Sequence, residues 1–462
     1  MARNRRPPAS TVVLLASALL PLAAPAAEVE AYGTTLARYY TQNYRDLNKY
    51  RYVPLTQFVG IDANKLGDTG WSMHFYGWGQ TDLGDQSSPS GKSGGDLTYG
   101  YLQYRAPKAN AEFKLGRFAA QGAAGQELVD GISTRADLRG GFTFSFFGGK
   151  PVEYNLEGAP KAAPRDFITG ARLAWRASHF GELGVSYLQD GTTPKDQPGQ
   201  PLLEDHSRKL LGGDLRISPH ATLELTGRVA FNQKKEDPTA PAESKTRLAE
   251  QDYSFSWKIA KVVQLSGRVT ERNFKDFYGG TNLPFLFRQI ETEKYKAQSG
   301  ELTIGLSSPV QFIADYRKAQ REANGDSTRV GGELRIIPET FKLKSGFGYH
   351  RITAADVPLV GGTVPFYSLA HKEARLWLLH DGGRYYLSLD AVSYSFDDKN
   401  NPLLNNEPNS FLGVASLGFR ATSGLTLSGD VSYGMNPTYK KEVRGLLRLE
   451  FRFGNGSKGG AK

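Results

Sequence analysis

Arginines fall in step with the polar side of one alternating stretch after another in this chain. In EVRGLLRLEFRF, Arg444, Arg448 and Arg452 share one parity with Glu442 and Glu450, while Val443, Leu447, Leu449, Phe451 and Phe453 take the other. The same period of two places Arg172, Arg176, Arg228, Arg268, Arg317, Arg335, Arg375 and Arg420 among polar neighbours elsewhere. Successive side chains on a strand point to opposite faces, so this period sorts charge from hydrocarbon. A guanidinium stays charged at any accessible pH and presents a fork of donors that fits carboxylate or phosphate. Along an aqueous passage such groups attract anions. Paired with the acids of the same faces, Asp214, Asp315, Glu333, Asp390, Asp430 and Glu442 among them, they stiffen a sheet. These arginines form the candidate pore-lining set.

Other chemistries find less support. Cysteine is absent, which removes disulfides, thiolate zinc sites, iron–sulfur clusters and covalently held c-type haem. The 7 histidines include no H-x-x-x-H or HExxH pair, so no metal site is expected. SGKSG at 90–94 resembles half a P-loop, but Gln86 stands where the first glycine belongs, and a loop linker is the better reading. No GxSxG elbow frames a serine nucleophile. A barrel hydrolase would need nucleophile, base and orienting acid at one rim. No enzyme and no cofactor is expected, although a serine and a histidine can meet in space without a motif.

The elements that position the arginines read as short antiparallel strands. ATLELTGRVAF carries Leu223, Leu225, Val229 and Phe231 against Glu224, Thr226 and Arg228, and SGLTLSGDVSYG repeats the arrangement. Short turns such as SPH, SSP, PET and DGG alternate with long polar segments such as 190–205, 233–245 and 275–295. Strict alternation of short and long connections is the mark of a transmembrane barrel with turns on the periplasmic side and loops outside. A mean hydropathy of −0.44 agrees, because such a wall alternates lipid-facing and lumen-facing residues. The sequence therefore predicts an all-β, antiparallel transmembrane β-barrel of about 18 to 20 strands over residues 71–453. The alternation is poorest at 97–105 and 129–138.

Residues 1–26 read as a cleaved signal peptide, with Arg3, Arg5 and Arg6 before the apolar run TVVLLASALLPL and small residues at Ala24 and Ala26. Residues 27–70 lack alternation and are expected to lie in the periplasm or the lumen, partly helical. Residues 454–462 read as a flexible tail. The formal charge of +10 falls to about +7 once the signal arginines leave, keeping its sign. Two long loops, NLPFLFRQI (282–290) and DVPLVGGTVPFY (356–367), are unusually apolar and are candidates for constricting the pore.

KLGRF followed by VDGI, the hairpin alternation and the phenylalanine-ended last strand resemble bacterial outer-membrane porins. FYGWGQTDLGD resembles uncharacterised channel proteins of deltaproteobacteria. The resemblance covers the chain in pattern but only short stretches in motif, and residues follow Phe453 where many such proteins end on the aromatic. It implies a cell outer membrane location, contact with outer-membrane lipid, and passive diffusion of small hydrophilic solutes or ions. The basic excess adds a weak preference for anions. A second reading makes the barrel a sheath for an extracytoplasmic multihaem cytochrome, the haem being the partner's. A homo-oligomer is compatible with the sequence, and no nucleic-acid partner is expected.

Overall fold

The computed structural model is a closed antiparallel β-barrel of 22 strands with almost no helix. It describes residues 28–44, 48–84, 93–106, 108–122, 124–152, 166–177, 180–191, 208–233, 246–278, 294–306, 308–322, 325–338, 342–357, 367–437 and 441–454. The signal segment 1–26, the apolar loop 282–290, residues 358–366 of the second apolar loop, most of SGKSG and the tail past Gly454 lie outside the described residues.

Wall strands begin well before Trp71. β1 (Glu28–Tyr44) pairs with β3 (Pro54–Asn64), from Glu28 opposite Asn64 to Ala37 opposite Leu55. β2 (Asn48–Tyr52) meets the far end of β1, so β2 and β3 together make one wall strand interrupted at Val53. The other edge of β1 pairs with the last strand, Glu442–Gly454, Ala31 lying opposite Phe453 and Tyr40 opposite Arg444. That seam leaves no open edge, which is what hydrocarbon demands of a sheet. β4 (Trp71–Asp82) and β5 (Gly94–Ala106) follow as hairpin neighbours.

The expectation of a periplasmic or lumenal segment over 27–70 is thus corrected. Its residues form two wall strands, and they bring the expected count of about 20, reckoned from Trp71, to 22. The physical reason is side-chain size. One face of β1 carries Ala31, Gly33, Thr35 and Ala37, too small to read as hydrophobic. A larger neighbour fills the space: a Cβ at Gly33 would lie 2.7 Å from Phe451 Cζ. The stretches with the poorest alternation are strands as well, in β5 and in Gly125–Asp137.

Strand after strand sets an apolar face against a polar or charged one. Leu447 (62 % exposed) stands opposite Gly429, with Leu417 and Val431 (60 % each) on neighbouring strands. An exposed apolar surface of this extent is unfavourable in water and natural in lipid.

Candidate functional site

The charged face holds ion pairs built by register. Residues directly across a strand pair, or one step along the diagonal, are within reach of long side chains. Contacts divide the chain into two compact units.

In the unit Arg105–Gly332 with Ile352–Phe366, Arg172 reaches Asp214 at 2.5 Å and Glu182 at 2.7 Å, and Arg176 reaches the other oxygen of Glu182 at 2.7 Å. Arg228 donates to Glu250 at 2.9 Å, Arg272 joins the same carboxylate, and Arg268 holds Asp252 with two bonds. Arg317 differs from these, donating to the neutral hydroxyl of Tyr295 at 2.7 Å.

In the other unit Arg335 grips Glu333 with two bonds, 3.0 and 2.9 Å, and Glu333 also accepts from the Trp377 indole at 2.6 Å. Arg375 grips Asp390, and Arg420 grips Asp381. On the last strand Arg444 meets Glu442 at 2.7 Å. Arg448 lies 3.9 Å from Asp430 and 3.7 Å from Glu450. Arg452 pairs with Glu30 of β1 across the seam. All eleven predicted arginines (172, 176, 228, 268, 317, 335, 375, 420, 444, 448 and 452) therefore sit on the face away from the apolar one. Ten of them have a carboxylate partner.

Two arrangements on this face were not legible in the sequence. The first is a covered patch. Phe118, Val129, Ile168, Leu188 and Leu210 are buried together with the ion cluster of Arg208, Asp190 and Glu127. A short helix, α1 (Phe274–Tyr278), lies over the adjoining strands. Arg208 donates to the Phe277 carbonyl at 2.9 Å, and the Arg272 guanidinium stands 4.7 Å from the Phe277 ring. Asn273 caps α1 by accepting from the Asp276 N–H at 3.4 Å, and its Nδ2 donates to Asp276 Oδ2 at 2.6 Å. Arg208, between Ser207 and Lys209 at the end of a long polar loop, gave no period by which to foresee the latch.

The second arrangement is on β3, β4 and β5. His74 lies directly opposite Asp62 on one side and Tyr101 on the other. Its Nδ1 is 2.7 Å from Asp62 Oδ1, and its Nε2 is 3.0 Å from the hydroxyl of Ser72, two residues back on the same face. Aromatic rings continue the row. Tyr101 is 5.0 Å from the His74 ring, Tyr99 is 6.0 Å from Tyr101, and Tyr76 stacks 5.6 Å from Tyr99. Tyr32 and Tyr99 share a hydroxyl–hydroxyl hydrogen bond of 2.8 Å. Gly60 leaves room for this: any side chain there would strike the Tyr32 ring. The S-x-H spacing at Ser72 and His74 was available as a signal. Its acid partner was not, because β3 had not been read as a strand. Among the described residues no group of three or more His, Cys, Asp or Glu could hold a metal ion.

No protein-family model matches the sequence, and no curated protein does. Among solved structures the chain is similar to OccK11 (OpdR) of Pseudomonas aeruginosa, at 12 % identity and TM-score 0.41, covering 92 % of this chain and 96 % of that one. It is similar to OpdQ of the same organism at 11 % identity and TM-score 0.41, covering 93 % and 99 %. The translocation pore of the P pilus usher PapC matches at 11 % identity and TM-score 0.45, covering 92 % and 99 %.

Proposed function

We propose that the chain is exported by its signal segment, inserts in the cell outer membrane and acts as a porin-like channel for small hydrophilic solutes and ions. The observation that carries this reading is a closed wall of 22 strands whose charged face lies opposite a largely apolar one. With the apolar face toward lipid, the charged face lines the interior. Barrels of eight strands fill with their own side chains, and much larger ones leave an aqueous lumen. The eleven arginines then line the pore, and small solutes and anions are its cargo.

The anion preference is weak, because most of these arginines are spent on carboxylates. An exposed pair of this kind contributes about 0 to 1 kcal/mol to stability. It also cancels most of the field that a lone guanidinium would project into the lumen. Purified chain in a planar bilayer should give discrete conductance steps. Under a salt gradient the zero-current potential should have the sign of modest anion preference. A protein that never conducts, or that fractionates as soluble, would end this reading.

A further inference from the structure

The geometry points to a hydrolytic centre at Ser72, His74 and Asp62, and we propose that it cleaves aryl esters of short carboxylic acids. The proposal rests on the reading above, that this face lines an aqueous lumen, only for access of substrate. The parts of a nucleophile–base–acid relay are in hydrogen-bond order: Ser72 Oγ to His74 Nε2 at 3.0 Å, and His74 Nδ1 to Asp62 Oδ1 at 2.7 Å. A carboxylate only accepts, so the Asp62 contact places the imidazole proton on Nδ1 and leaves Nε2 free to take the hydroxyl proton. Two cross-strand facts hold the set. Ser72 and His74 project from one face of β4 because they are two residues apart, and Asp62 faces His74 through the β3–β4 register. The side chains of His74 and Asp62 are 19 % and 26 % exposed, so the base is reachable from solvent.

The surroundings indicate the substrate. Tyr101 covers one side of His74, and Tyr99 and Tyr76 extend the aromatic surface along the same row. Such a surface favours a planar ring in the alcohol part. Ser72 itself is only 8 % exposed, which limits the acyl part to a short one. Gln103 lies directly opposite Ser72 on β5 and is the nearest side-chain amide by register to a developing oxyanion. The site lies at the end of the wall that carries the short connections, where β3 passes to β4, so a substrate reaches it without crossing the pore.

In the first step Ser72 Oγ bonds to the acyl carbon while His74 Nε2 takes its proton. The bond from that carbon to the aryloxide oxygen then breaks, and Nε2 returns the proton to the leaving phenol. Water repeats the sequence on the acyl-serine, releasing the carboxylic acid and restoring the hydroxyl.

The test uses the purified full-length chain in detergent with p-nitrophenyl acetate, and separately a fluorophosphonate probe, whose phosphorus would bond to Ser72 Oγ with loss of fluoride. Expected are hydrolysis above the buffer rate and a mass increase on the peptide containing Ser72. Ser72→Ala should abolish the label and lower the rate at least about 100-fold, with heat-modifiable gel migration and bilayer conductance unchanged. Asp62→Asn should retain labelling at a reduced rate. Should Ser72→Ala fail to assemble, His74→Gln serves as the second variant with the same expectation. Hydrolysis that persists in an assembled Ser72→Ala or His74→Gln protein, or a wild-type protein that neither labels nor hydrolyses, overturns the proposal. Intact conductance in either case leaves the channel reading standing.

Discussion

Arg317 meets a phenol where Arg375 meets a carboxylate, and that difference can be read electrically. Replacing Arg375 by Gln alone exposes Asp390 and should move the zero-current potential toward cations. Replacing Asp390 by Asn alone should move it the opposite way. The double variant Arg375→Gln/Asp390→Asn should sit near the wild type, since a paired charge is removed with its partner. Arg317 meets no carboxylate among the described residues, so Arg317→Gln should shift toward cations by itself. A double variant as far from wild type as either single one would show that the pair does not compensate. On the last strand, Arg444, Arg448 and Arg452 replaced together by Gln leave Glu442, Asp430, Glu450 and Glu30 uncompensated. A clear swing toward cation preference is expected, and unchanged selectivity would place these side chains away from the ion path. The face of each arginine was legible because a period of two needs no knowledge of register. Which acid each one meets was not, and neither was the meeting of Ser72, His74 and Asp62, because both depend on how strands align.

Among the described residues, α1 is the one α-helix set against the wall. It is held by Arg208, whose side chain is 5 % exposed beside Asp190 at 2 %. Truncating one member of a buried pair leaves an uncompensated charge and costs about 3–5 kcal/mol. Arg208→Ala should therefore lower the temperature at which the barrel loses its fast gel migration. It should also free the Phe277 carbonyl, and with α1 released the single-channel conductance should rise or become noisier. Conductance and thermal shift both equal to wild type would mean that Arg208 does not hold α1 in place. The strands from Trp71 onward were legible because Leu, Val, Phe and Trp alternate with charge. β1 was not, because Ala31, Gly33 and Ala37 mark its apolar face too faintly, and Tyr32 and Tyr40 stand on the charged side.

For the whole molecule, salt is the simplest probe. Screening shortens to about 3 Å at 1 M, so selectivity that arises from fixed charges should fade between dilute and molar salt. A preference independent of salt would instead point to a steric filter. The seam between β1 and Glu442–Gly454 has a further consequence, for the order of events during assembly. Arg452 and Glu30 are 422 residues apart in sequence. Joining them directly in an unstructured chain would cost about 5 kcal/mol in loop-closure entropy alone. Hairpins between successive strands need no such long closure and form faster. The seam is therefore the last contact to form, and until it does both edge strands offer unpaired amides and carbonyls to any strand nearby. Nascent barrels are then most prone to pair with one another just before closure, and a chain lacking its last strand would be trapped as a protease-sensitive open sheet with β1 as its exposed template.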